Sequence, residues 1–377
     1  MRRDPLIIGA GPAGTAAAIT LGRNGYQPVL IERSAGPTDK VCGDFLSTDA
    51  IEQIRTLGVD PASLGAASIH RIRLIHGERI AETDLPFPAL GLSRRTLDAA
   101  LLAQAERAGA VVQLGQTVRQ LARDAGLWTA RTGDQTALTA ETVFLATGKH
   151  DLRELPRVRI GRGAIGMKMY FAPAPTPAKC LEGAIELTLF PGGYAGMQHV
   201  ENGHMVLCIA VQRQAFQRYG GGWPSLIAAI ELRSRHFATM LARARPLLPR
   251  PLAVAGIPYG YQARRAACPD GLFRLGDQAA VIPSLTGDGM AIALHSGTSA
   301  AEIWLAGADS GTYQAALTRT LAPQMRLAGV LHHACMSGGV QSALIRGAAL
   351  FPALLRQFAR RTRLRQHRTD RSRGPSP

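Results

Sequence analysis

Residues 4–33 read DPLIIGAGPAGTAAAITLGRNGYQPVLIER. A short apolar run leads into Gly9-x-Gly11-x-x-Gly14, an alanine-rich segment follows, and a second apolar run ends in Glu32 and Arg33. Strand, glycine turn, helix, strand and terminal acid in this order are the layout of a dinucleotide site. Gly9 lets the strand turn sharply, Gly11 lets the backbone approach a pyrophosphate, and Gly14 lets the helix pack on the strand. Ala10, Pro12 and Ala13 complete the loop, where the helix N-terminus turns unpaired N–H groups and its positive dipole end toward phosphate. Glu32, eighteen residues beyond Gly14, is placed to accept hydrogen bonds from a ribose 2′-hydroxyl and to repel a 2′-phosphate.

A second stretch, Gly161-Arg-Gly163-Ala-Ile-Gly166, has the same spacing but the wrong context. The residues after it, MKMYFAPAP, alternate like a strand and run into prolines. No helix N-terminus is available there, so one dinucleotide is expected and not two.

At 377 residues with 46% hydrophobic and 19% charged side chains, the chain suits a folded protein with a sizeable core, in two domains or one interrupted one. No run of about eighteen uncharged apolar residues is present, so no membrane-spanning helix is expected. The nucleotide strand begins directly after Met1-Arg2-Arg3-Asp4, which leaves no space for a cleavable signal, and a cytoplasmic protein is expected. Five widely spaced cysteines without a Cys-x-x-Cys pair indicate neither a disulfide framework nor a metal site. His332-His333 likewise has no partner at ligand spacing.

The formal charge of +16 is almost all arginine, since only four of 43 basic residues are lysine. That bias alone does not point to nucleic acid, and no nucleic-acid partner is expected. The distribution says more: Arg356–Arg373 carries eight arginines and one acid, directly after the apolar stretch Ala343–Leu355. Two readings stay open, a final helix docked on the body with a solvated basic tail, or peripheral contact with an anionic membrane at its inner face.

Along the chain, the alternating runs His70–His76 and Arg79–Leu85 predict paired strands, and Ser93–Ala108 has helical spacing. Val111–Leu121, Leu127–Arg131 and Thr142–Ala146 read as strands, the last ending at Gly148. From Leu152 prolines and alternating strands predominate, and Pro224–Ala244 is helical. Gly271–Gly276 returns to strand character, Gly287–Leu305 is a helix beginning among glycines, and Thr312–Arg365 is mainly helical. The expected division is 1–151 nucleotide domain, 152–265 substrate domain, 266–310 second part of the nucleotide domain, 311–365 helices and 366–377 basic tail.

Three distant segments then fit one site: Gly9–Gly14 with Glu32, Leu275-Gly276-Asp277, and Thr286-Gly287-Asp288-Gly289-Met290. Together they resemble the glutathione-reductase-type FAD fold, in the branch of aromatic-ring monooxygenases, flavin-dependent halogenases and geranylgeranyl reductases, over roughly residues 1–310. The resemblance implies an α/β fold: a Rossmann-like FAD-binding domain, an inserted antiparallel β-sheet substrate domain and a C-terminal helical region. It places Asp277, with Gly276, at the ribityl and pyrophosphate region, and the helix start Gly287, Asp288, Gly289 and Met290, with Pro283 upstream, at the flavin. A helix N-terminus there would stabilise charge on the reduced ring. Arg94, in Arg94-Arg-Thr-Leu97-Asp98, matches the family's Arg-x-x-Phe-Asp with leucine for phenylalanine and is expected to contact FAD in preference to Arg95. Val118 falls where the fold contacts adenine through its backbone.

Gly287-Asp-Gly289-Met290, Ser296-Gly297 and Ala300-Ala-Glu302 are similar to the geranylgeranyl reductases, as is Cys42-Gly43-Asp44, which puts Cys42 and Gly43 beside the flavin as a tuning thiol or inert packing. Phenolic hydroxylases carry an Asp-Gly pair near the end of the third sheet strand, where this chain has Thr147-Gly148-Lys149-His150-Asp151. Geranylgeranyl reductases and halogenases instead floor the pocket with a tryptophan-bearing hairpin. Here Gly193-Tyr194-Ala-Gly196-Met-Gln-His199 keeps the tyrosine and replaces the tryptophan with Gly196, which opens a space. On a regular strand Tyr194 and Gly196 face one side and Met197 and His199 the other, so a pocket containing Asp44, Tyr194, Gly196 and His199 requires a bend. Tyr194 itself suits either that pocket or the sheet's core. The expected activity is hydroxylation of a hydrophobic phenolic or polyketide-like metabolite, with reduction of a carbon–carbon double bond as the alternative. NAD(P)H or a separate reductase would supply the electrons, and no catalytic acid or base is assigned.

Overall fold

The apolar run Leu6–Ile8 forms the central strand of a five-stranded parallel sheet in a computed structural model that describes residues 3–158 and 163–363. The strand order is Leu272–Arg274, Val143–Leu145, Leu6–Ile8, Val29–Ile31, Val111–Gln113. These strands read as continuous hydrophobic runs because both faces are covered. Ile7, Leu30, Phe144 and Phe273 pack beneath the helices Pro12–Arg23, Arg94–Arg107 and Gly289–Leu305. Their neighbours Leu6, Ile8, Ile31, Val143 and Leu145 pack against an antiparallel meander of Val118–Asp124, Leu127–Thr132 and Ala137–Ala140. The single strand expected over Val111–Leu121 is therefore two. Gly115, at φ +73°, turns the chain from the parallel sheet into the meander.

A nine-stranded sheet faces the parallel one. It takes Phe45–Leu46, Ala67–His76 and Arg79–Gly91 from the N-terminal part of the chain as well as strands between Ala164 and Ile257, so this layer extends beyond residues 152–265. Alternation sorts its residues. Met169, Phe171, Met197 and Leu207 turn outward onto the helices Trp223–Glu231 and Arg235–Leu241, two short helices in place of one. Ser234 divides them and caps the second, accepting from the Phe237 amide at 3.3 Å. Gly166, Tyr194, Gly196, Gln198 and Cys208 face inward. The residues after Gly163 form the strand Ala164–Ala172 with no helix start, while Gly161 lies outside the described residues.

The last elements among the described residues are the helices Ser310–Met336, Gly338–Leu350 and Pro352–Arg361. The basic tail 366–377 lies outside the described residues.

Glycines set how closely the layers approach. A Cβ on Gly14 would sit 1.9 Å from the Gly9 carbonyl oxygen, and one on Gly297 would sit 2.1 Å from the Ala13 carbonyl oxygen. Backbone fills both spaces, and backbone cannot swing away. Gly14→Ala is expected to cost about 3 kcal/mol of stability, read as a fall in the urea midpoint; an unchanged midpoint would mean that strand and helix do not meet so tightly.

Candidate active site

Gly9 turns the chain at φ +105°, and a Cβ there would lie 2.4 Å from the Ala146 carbonyl oxygen. The following helix N-terminus points along a cavity of about 580 Å³ lined on this side by Gly11, Pro12 and Ala13. Glu32 closes the turn, one carboxylate oxygen accepting from the Ala10 amide at 3.0 Å and the other from the Ser34 amide at 3.1 Å. Burial pushes the Glu32 carboxyl up, but these two amides and the nearby Lys40 ammonium outweigh it and hold it below the usual range. Arg33 reaches instead to His150, guanidinium to Nε2 at 2.8 Å. Burial and the Arg33 charge lower the His150 pKa, so the ring accepts as a neutral group. Val118 opens the meander just after the loop in which the Gln116 amide donates to the Glu32 carbonyl at 2.9 Å.

Arg94 and Arg95 part company in the structure. Arg94 is clamped by Asp98 through two 2.8 Å hydrogen bonds and lines the cavity, its NH2 lying 3.4 Å from where a Gly11 Cβ would be. Arg95 pairs with Asp39 and is mostly exposed.

Across the cavity, the Gly276 amide donates to Ser296 Oγ at 2.8 Å, which fixes the strand end that carries Asp277. Asp277 faces Lys149 at 3.3 Å. Arg157 ties the turn in place by donating to the Asp277 carbonyl at 3.0 Å and the Lys149 carbonyl at 2.8 Å. This is the turn that lacks an Asp-Gly pair; a cation occupies it instead. Gly287, Gly289 and Met290 line the cavity where the helix Gly289–Leu305 begins, and Pro283 is buried just upstream, its carbonyl accepting from the Thr286 amide. Asp288 is buried beneath the loop, where Gln324 donates to one carboxylate oxygen at 2.5 Å and Arg363 to the other.

Cys42 and Gly43 line the cavity, with the half-buried Cys208 thiol donating to the Cys42 carbonyl at 2.8 Å. Burial pushes the Cys208 pKa up, so it remains a thiol. Asp44 does not line the pocket. At φ +56° and fully buried, it turns to Lys168 Nζ at 2.6 Å and the Tyr170 hydroxyl at 2.5 Å. His199 is also absent from the cavity wall, because its strand stays in regular register and the ring turns to the Ala178 carbonyl at 2.9 Å.

The same regular strand brings Tyr194, Gly196 and Gln198 to the cavity. Gln198 is a site residue missed in the sequence, though it shares the alternation of Tyr194 and Gly196. It is 1% exposed, and among the described residues neither end of its carboxamide has a partner. A Cβ on Gly196 would meet Leu187 at 3.6 Å, an ordinary contact, so the glycine leaves the cavity wall here without a side chain of its own. Beside it, the Tyr194 and Tyr259 hydroxyls each lie 2.7 Å from Ser284 Oγ, and all three residues line the cavity. His332 packs on both rings, and burial lowers its pKa to about 4, so it is neutral at neutral pH. The inner faces of the last two helices form the roof, with Leu344, Ala348 and Leu355 among them. Among the described residues no histidine, cysteine and carboxylate cluster could hold a metal.

An FAD-binding domain model matches residues 2–145, and the FAD-dependent oxidoreductase model matches residues 89–312, more than half of the chain. The chain belongs to the FAD-dependent oxidoreductases. It is 26% identical over 332 residues to a menaquinone reductase of Mycolicibacterium smegmatis, covering 81% of this chain and 77% of the relative. PqsL of Pseudomonas aeruginosa shares the fold with TM-score 0.73 at 17% identity, over 91% of this chain and 99% of the other. The myxobacterial halogenase CndH does so with TM-score 0.75 at 17% identity, over 97% and 91%.

The residues present suit this cofactor. A Cβ on Gly43, Gly148 or Gly289 would meet nothing within 4 Å, so one glycine-edged groove joins the phosphate loop to the helix start at Gly289. Glu32 would hold the adenosine ribose, Gly11–Ala13 the pyrophosphate, Asp277 the ribityl chain and Gly287–Met290 the ring. Glu32→Ala is expected to weaken FAD binding by about 10- to 100-fold, the value of a charged hydrogen bond, measured by fluorescence titration of the apoprotein. A carboxylate with a lowered native pKa stabilises the fold above its ordinary pKa and loses that contribution as pH falls through the native value. FAD retention by the parent should accordingly survive neutral and mildly acidic buffer and fail only in strong acid.

Proposed function

We propose that this FAD-dependent oxidoreductase is a monooxygenase that hydroxylates a hydrophobic phenolic or polyketide-like metabolite. The supporting observation is the hydroxyl chain Tyr194–Ser284–Tyr259, set beside Gly196 in a largely apolar cavity. Hydroxyl groups pass protons to and from another oxygen far more readily than to carbon, so this chain suits a ring that carries an oxygen. Burial holds the Tyr194 hydroxyl well above its ordinary pKa, and it acts as a neutral relay.

Bound FAD supplies the redox chemistry, accepting hydride from NAD(P)H or electrons from a separate reductase and reacting with O₂ when reduced. The residues of this chain do the rest. Gly196 admits the ring, the roof helices exclude water, Gln198 donates to and accepts from a polar group on the substrate, and Tyr194 exchanges the ring hydroxyl's proton through Ser284 with Tyr259. The amides opening the helix at Gly289 stabilise negative charge at the ring edge of the cofactor.

Reduction of a carbon–carbon double bond in a lipid or polyketide chain is the second reading, favoured by the 26% identity with the mycobacterial menaquinone reductase across four-fifths of the chain. The two separate by product mass. Holoprotein reduced without oxygen, given a phenol that bears an alkenyl chain and then air, should yield a product heavier by one oxygen atom. A product heavier by two hydrogens, formed without air, would overturn hydroxylation.

Two substitutions test the roles. Tyr194→Phe should lower kcat about 100-fold at unchanged FAD content, the usual worth of a positioned proton donor. Gln198→Leu removes a buried group without a partner, so it should raise the stability of the substrate-free protein by about 1 kcal/mol while raising KM. Loss of stability together with an unchanged KM would assign Gln198 to packing.

A further inference from the structure

The helices Gly338–Leu350 and Pro352–Arg361 meet at Phe351 with a bend of 107°. Their inner faces roof the cavity, but the outside of the elbow is apolar as well. Leu350 is 74% exposed, Phe351 61%, Leu354 44% and Phe358 38%. Exposed apolar residues are ordinary one at a time; four within nine residues form a patch. Leu354 and Phe358 also line the cavity, which therefore reaches the surface beneath this patch.

Charge says what covers it. Arg346, Arg356, Arg360 and Arg361 stand exposed on the same two helices, and among the described residues none is paired with a carboxylate. The sequence contains no acidic residue between Asp309 and Asp370. Neither helix is long and apolar enough to cross a membrane, and the right-angle bend suits two short helices lying along a surface. A second copy of the chain would cover the patch only by bringing two sets of unpaired arginines together.

We infer that this elbow seats the protein on an anionic lipid bilayer. Leu350 and Phe351 enter the acyl boundary, and the arginines meet the headgroup phosphates. The cavity then exchanges its occupant with the bilayer, a consequence that rests on the reading of a hydrophobic substrate; the docking itself does not.

Flotation of full-length FAD-loaded protein with vesicles tests this without any turnover, so failure of the hydroxylation assay leaves it untouched. The protein should float with equimolar phosphatidylglycerol and phosphatidylcholine, and about tenfold less with phosphatidylcholine alone or in high salt. The double variant Leu350→Glu with Phe351→Glu should bind at least about tenfold more weakly at unchanged FAD absorbance. Arg356→Glu with Arg360→Glu should lose the preference for anionic vesicles. Flotation of the elbow variant equal to the parent's, or a parent that stays at the bottom with both vesicle types, would overturn the inference. So would a dimer that the elbow variant dissolves in a protein that does not float.

Discussion

Backbone-to-backbone contact around the first helix is the constraint on which the rest depends. Gly14 brings the helix Pro12–Arg23 onto the Gly9 carbonyl, and Gly297 brings the helix Gly289–Leu305 onto the Ala13 carbonyl, each at a distance no side chain survives. The two helices whose N-termini open on the cavity are thereby fixed against one another. Their amides, at Gly11–Ala13 and at Gly289–Met290, open into one cavity although they lie far apart in sequence. Interiors packed this closely transmit small shifts, so the distance between the phosphate and ring ends of the cradle is set here and not in the loops.

Around that frame the buried polar groups divide by purpose. Arg157 and Gln278 make defined hydrogen bonds that hold the turn Gly148–Asp151 against Asp277. Lys168, Tyr170 and Asp44 form a buried cluster behind the cysteine pair. Asp288 is held by Gln324 and by Arg363, whose guanidinium also lies over the Phe87 ring at 4.7 Å. Arg363 thereby ties the residues just after the final helix to the loop Thr286–Asp288. Gln198 is the contrast, a buried carboxamide with nothing to bind in the protein itself. An unpaired amide costs stability unless something outside the chain satisfies it, and among the described residues Gln198 differs from the other such groups in lining the cavity, on the strand face it shares with Tyr194 and Gly196.

The turn at one end of the cavity was legible because its steric demands are local. Gly9–Gly14 and Glu32 sit within one strand, helix and strand, and each glycine answers a steric demand within that unit. Arg94 lines the cavity as the resemblance implied, whereas His199, expected in the pocket, turns away because its strand keeps the regular alternation that this placement required it to break. Asp44 was misplaced because nothing in Cys42-Gly43-Asp44 tells that the chain turns to positive φ at Asp44 and buries the carboxylate under Lys168, which lies 124 residues away. Gln198 shares the alternation of Tyr194 and Gly196, but nothing in the sequence tells that its carboxamide is buried without a partner. The roof helices read only as a helical C-terminus, because their partners are strands of a sheet assembled from both halves of the chain.

By itself the sequence determined that a dinucleotide site opens the chain and that an acid ends its second strand. These follow from residue types at fixed short spacings. Only the tertiary structure decided that Lys149 faces Asp277, that Tyr194, Ser284 and Tyr259 join in one hydroxyl chain, and that the final helices close the cavity with an apolar elbow turned outward. Each of these depends on how distant strands pair and which face of a helix meets them, and such long-range packing leaves no periodic mark along the chain.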